Sequence, residues 1–154
     1  MPATNPMTSS KYLTLWTVFL NFFIPVGGAH GVACIGYIEV FGLSKGYKIG
    51  DSDLSLSLTS DYFRSLGAVA LCFFVGQILL ILSLALRNYY TKFWTKILGL
   101  GILWVGFYYL THNFFNEIQA EPGLYFGIPF LIVSILLAYR TIKQYAVVRS
   151  EDKG

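Results

Sequence analysis

Apart from two cysteines, His30 and His112 are the only side chains that titrate near neutral pH inside four long apolar stretches of the chain, 12–38, 65–86, 97–116 and 122–139. An imidazole in such surroundings can exchange a proton, ligate a metal ion or hold one face of a haem iron. His30 lies 19 residues beyond Lys11, and His112 lies 16 beyond Lys96. At about 1.5 Å of helical rise per residue, both stand roughly 24–29 Å from those lysines. If the first and third stretches run in the same direction, the two rings share one level.

Other polar groups gather at that level. Tyr108 is one helical turn before His112 on the same face, Asn113 is beside it, and Glu117 follows. Glu39 lies beyond His30, with Cys34 and Tyr37 on the turns between. His30, His112, Tyr108, Asn113, Glu39 and Glu117 therefore form the expected outer polar site. Asn21 and Gln77 form a second, deeper pair, each about 15 Å from its basic marker, Lys11 or Arg87. A hydrogen bond between them would contribute about 0.6–2 kcal/mol. Packing between helices explains that pair more simply than a step in a substrate path.

Each of these groups has a plain reading as well. A histidine near a membrane boundary can simply hold one hydrogen bond to a neighbour or to water. Proton or ion handling is the main functional alternative, because ionisable groups inside membranes often mark such paths. The lesser one is haem b or a divalent metal between His30 and His112. Two histidines are a small ligand set, and zinc would need further ligands such as Glu39 or Glu117. The pair Asp51 and Asp53 is too small a set to specify a cation site. No HExxH or GxSxG motif is present, and no acidic cluster suits a metal–phosphate group. The chain therefore leans away from an enzyme.

The elements that must position these residues follow from composition. Apolar residues make up 55% of the 154 residues and charged residues only 12%, against about 25% charged in a soluble domain. That leaves too little polar surface for water, so lipid is the expected solvent. The expectation is an all-α integral membrane bundle of four transmembrane helices at about 12–38, 63–86, 94–115 and 122–140. One short outer loop of extended character joins the first two, because Leu54, Leu56 and Leu58 alternate with serines. Residues 1–10 read as a disordered N-terminus, 11–142 as the transmembrane domain, and 143–154 as a basic cytoplasmic tail.

The first stretch is too long for the apolar core of a signal peptide. It reads as one span continuing to about residue 41, kinked at Pro25-Val26-Gly27-Gly28. Pro129 reads as a kink in the fourth. Small residues at helix-packing spacing mark Ser65, Ala68, Cys72, Gly76 and Ser83 on the second helix, and Thr95, Gly99 and Gly106 on the third. Cys34 and Cys72 read as core side chains, with no disulfide between them.

Eight of the eleven basic residues fall at the N-terminus, the connection after the second span and the C-terminus. Lys and Arg collect on the cytoplasmic side, so both termini are expected inside, in a bacterial-type inner membrane. The short basic tail suits anionic lipid headgroups rather than nucleic acid. The expected partners are the bilayer and either further copies of the chain or a larger membrane complex. The functional expectation is a small transport or ion-handling component, or a subunit of such a complex.

Overall fold

The computed structural model describes residues 6–28, 31–45, 62–112 and 121–151. Among them are five helices and one hairpin: α1 (Pro6–Phe22), β1 (Pro25–Gly28), β2 (Gly31–Cys34), α2 (Ile35–Lys45), α3 (Tyr62–Ala85), α4 (Tyr89–Thr111) and α5 (Glu121–Glu151). Three of the helices, over Leu66–Ala85, Tyr89–Thr111 and Glu121–Ser150, are long and apolar enough to cross a membrane.

The first apolar stretch is not one kinked helix. Proline disfavours helical backbone in the residue before it, so α1 stops at Phe22, ahead of Ile24-Pro25. The Ile24 amide closes the helix end on the Asn21 carbonyl (3.2 Å). The chain then forms an antiparallel hairpin, Pro25 facing Cys34 and Gly28 facing Gly31. The Ile35 amide donates to the Ile24 carbonyl (2.9 Å), which returns α2 to the end of α1. Gly36 lies face to face with the Phe22 ring, where a Cβ would collide.

Local chemistry also moves other boundaries. Helix α4 starts five residues earlier than the expected 94, because Asn88 caps it, accepting from the amides of Tyr90 (2.9 Å) and Thr91 (3.3 Å). Helix α5 includes Pro129 and runs on through the basic segment to Glu151. Residues 6–10, expected as disordered, belong to α1. The expected extended loop, at Leu54, Leu56 and Leu58, lies outside the described residues.

Helices α3 and α4 make the most extensive pair, α5 packs on α1 and α4, and β1 lies against α5. The small-residue faces of α3 and α4 meet. A Cβ on Gly76 would stand 2.7 Å from Leu103 and 3.0 Å from the Gly99 carbonyl. The apolar core runs through Ile24, Val69, Phe73, Leu80, Leu100, Leu103, Leu110, Phe130 and Leu137.

The buried stripe of α1 is polar: Ser10, Thr14, Thr17 and Asn21, at helical spacing. Its opposite face exposes Tyr12, Leu15, Trp16 and Phe19, and Phe23 just past the helix end is exposed as well. Helix α5 likewise exposes Tyr125 and Phe126, the latter 70% accessible, while burying Ser134 and Thr141. Hydroxyl and amide groups on the buried face of α1, with aromatic and aliphatic groups on its exposed face, reverse the soluble pattern there and suit a lipid-facing exterior. Ser10 of α1, Lys96 of α4 and Thr141 of α5 line one cavity, so the start of α1 and the last third of α5 lie at the same end of the bundle. Pro25 and Gly123 meet at the other end.

Candidate functional site

Three side chains from three helices converge inside the bundle. The Gln77 amide nitrogen on α3 donates to Asn21 Oδ1 on α1 (2.7 Å) and to Glu39 Oε1 on α2 (3.1 Å). Asn21 is fully buried and Glu39 only 3% exposed. Gln77 stands about 16 Å along α3 from Leu66 and about 12 Å from Ala85, near the middle of that candidate span.

The geometry follows from the broken first stretch. Asn21 occupies the last turn of α1, where the helix dipole is negative and carbonyls lack intrahelical partners. Glu39 occupies the second turn of α2, which the hairpin has brought back beside it. A continuous helix would instead have carried Glu39 about 27 Å past Asn21 and about 13 Å beyond His30. Glu39, expected in the outer polar site, is therefore joined to the Asn21–Gln77 pair.

The network is polar but incompletely satisfied. Both hydrogens of the Gln77 amide are used. Asn21 Nδ2 is buried and has no partner among the described residues. Glu39 forms no ion pair among the described residues, and its one hydrogen bond comes from the neutral Gln77. A buried carboxylate without a counter-charge is expensive unless it is protonated or a cation neutralises it. The chemistry available here is proton exchange or the binding of a small cation by carboxylate and amide oxygens.

His112 follows the last residue of α4. Its ring nitrogen Nδ1 lies 2.8 Å from the Tyr109 carbonyl. A carbonyl only accepts, so Nδ1 carries the proton, and in the neutral ring Nε2 presents its lone pair. Nε2 is buried without a partner among the described residues. The rings of Tyr109 and Tyr108 stand 5.8 Å and 6.1 Å from the imidazole, while Tyr108 itself is exposed. His30, Asn113 and Glu117 lie outside the described residues. Among the described residues no three of His, Cys, Asp and Glu are grouped to hold a metal ion.

Two further features escaped the sequence reading. One is the polar stripe Ser10–Thr14–Thr17–Asn21, whose spacing was legible within an otherwise apolar helix. Its threonine hydroxyls donate to the carbonyls of Ser10 (2.9 Å) and Leu13 (2.8 Å). That back-bonding makes the stripe tolerable inside an apolar bundle. The other is Lys96, taken as an inner-side marker but only 4% exposed and donating to Ser10 Oγ at 3.1 Å. Its position one turn after Lys92 was the available signal. Comparison with protein-family models, with curated proteins and with solved structures finds no match.

Proposed function

We propose that the chain is a small polytopic membrane protein that handles protons or small cations, with Glu39 as the exchangeable group. The single observation behind this reading is the Asn21–Gln77–Glu39 network, placed at a break in the first traverse of the bundle. Helices interrupted near mid-membrane commonly supply ion sites, because the freed helix end and a nearby carboxylate both favour a cation. In this reading α1, the hairpin and α2 together make the first of four traverses. The lysine-rich end faces the cytoplasm of a bacterial inner membrane, with both termini inside. The uneven placement of Lys and Arg supports that orientation.

The test is flux through the purified protein reconstituted in vesicles under an imposed potential, with a pH-sensitive or a Na⁺-sensitive dye inside. Glu39→Gln keeps the side-chain volume but can neither lose a proton nor neutralise a cation, and should abolish the flux. Glu39→Asp, which retains the carboxylate, should keep part of it. Wild-type flux through Glu39→Gln would end this reading.

A second reading rests on the orphaned Nε2 of His112. A nitrogen whose partner Nδ1 is held on a backbone carbonyl is oriented as metal ligands are. With His30 it would serve haem b or a divalent metal. Purified protein should then show a Soret band or stoichiometric metal, lost in His112→Ala. A preparation that is folded, colourless and metal-free removes this alternative.

A further inference from the structure

The lysine-rich end of the bundle holds a cavity of about 70 Å³ between α1, α4 and α5. Lys11, Lys92 and Lys96 line it, with Ser10, Thr141 and Gln144. None of the residues lining it is acidic. Lys92 and Lys96 are four apart on α4, so their ammonium groups share one face and repel each other. Lys11 adds a third positive charge from α1.

The most buried of the three is the most telling. An ammonium has three protons to donate, and the Lys96 ammonium spends one on Ser10 Oγ. A long lysine stem in a lipid-facing helix normally carries its charge outward to the interface. Lys96 instead keeps its charge inside, against the cavity, where an unneutralised ammonium is costly. Ser10 Oγ accepts from Lys96, which leaves its own proton available to a second acceptor. The wall is stiffened by Phe93, which lines the cavity and stacks on Tyr145 with centroids 4.0 Å apart.

We propose that this cavity binds a phosphate group, with Lys96 as the buried anchor and Lys92 and Lys11 closing on it from the rim. A tetrahedral oxyanion supplies both missing components, negative charge for three ammonium groups and acceptors for their unused protons. The volume admits several waters or one such group. Lys96 lies about 10 Å, roughly two helical turns, along α4 from Tyr89, and Tyr89 and Lys92 line the cavity between that depth and the start of the helix. The same chemistry is offered by an anionic phospholipid headgroup and by free phosphate. The site is independent of the Glu39 reading and survives its failure.

The experiment is ligand-induced stabilisation of the purified full chain in detergent, read as a rise in Tm. The probes are inorganic phosphate, short-chain phosphatidylglycerol, chloride at matched ionic strength, and short-chain phosphatidylcholine. A rise with phosphatidylglycerol but not with phosphate or phosphatidylcholine supports the site and assigns a lipid headgroup. A rise with inorganic phosphate beyond that with chloride supports it and assigns free phosphate. Lys96→Met, which keeps the stem and removes the charge, should weaken binding about tenfold or more, since a hydrogen bond to a charged group contributes at least one decade of affinity. Lys92→Gln should weaken it severalfold and provides the test if Lys96→Met does not fold. No rise with either phosphate probe, or equal affinity in these variants and the wild type, overturns the proposal.

Discussion

Replacing Gln77 with leucine is expected to destabilise the bundle by about 2–4 kcal/mol, because it removes the one hydrogen-bond donor that a buried carboxylate has among the described residues. Leucine has nearly the volume of glutamine, so the loss is not a packing loss. What is lost is the pair of bonds to Asn21 and Glu39. An ordinary side-chain hydrogen bond between membrane helices averages about 0.6 kcal/mol, since the separated helices find other partners. Glu39 raises the stakes, because among the described residues nothing else donates to it.

The signature of this mechanism is non-additivity. Adding Glu39→Leu to Gln77→Leu should recover at least half of the loss, because an apolar pair leaves no stranded carboxylate. Unfolding in mixed micelles by titration with denaturing detergent, run as a double-mutant cycle, gives both numbers. A Gln77→Leu cost below about 0.6 kcal/mol, or a second substitution that deepens the loss, would mean that Glu39 draws its stability from elsewhere.

The second large effect belongs to Gly76. Alanine there should cost about 1–3 kcal/mol, the usual range for forcing extra volume into a packed interface. The added Cβ meets the branch point of Leu103 and the backbone carbonyl of Gly99, at 2.7 Å and 3.0 Å. A side-chain tip could swing away, but a carbonyl moves only with its helix, so α3 and α4 must separate. Gly101, on the same helix α4 as Gly99, has nothing within 4 Å of an added Cβ. Gly101→Ala should be neutral or stabilising by up to about 1 kcal/mol, from helix propensity alone. Equal stability of the two alanine variants in the same assay would refute the close α3–α4 approach.

Much of this was legible in the chain. Apolar stretches of spanning length and the scarcity of charge mark helices suited to lipid, and that inference needs only residue types and counts. The faces of Gly76 and Gly99 were also visible, because a helix turns by a constant angle and places small residues on one side. Asn21 and Gln77 stood out for a similar reason, as amides where nearly every neighbour is apolar.

Pro25-Val26-Gly27-Gly28 was misleading because proline and glycine punctuate a chain without saying how far it turns. A kink and a hairpin begin with the same residues. The two place Glu39 differently, and the choice is made by the pairing of β1 with β2 and by the Ile35–Ile24 bond, which are contacts between residues distant along a helix. His112 was visible as an isolated imidazole, but the roles of its two nitrogens follow from the Tyr109 carbonyl. Lys96 was visible as a charge near a helix start. Its burial depends on Ser10, 86 positions away.

Residue chemistry alone thus determined that three long helices are apolar enough to cross a membrane and that ionisable groups are rare within them. These are properties of a stretch and its surroundings, and they need no partner. Only the tertiary structure decided which rare polar groups meet. It moved Glu39 from a place beyond the histidines to Gln77 and turned Lys96 toward a cavity, because a hydrogen bond requires two groups within about 3 Å and sequence position controls that distance only within a single element.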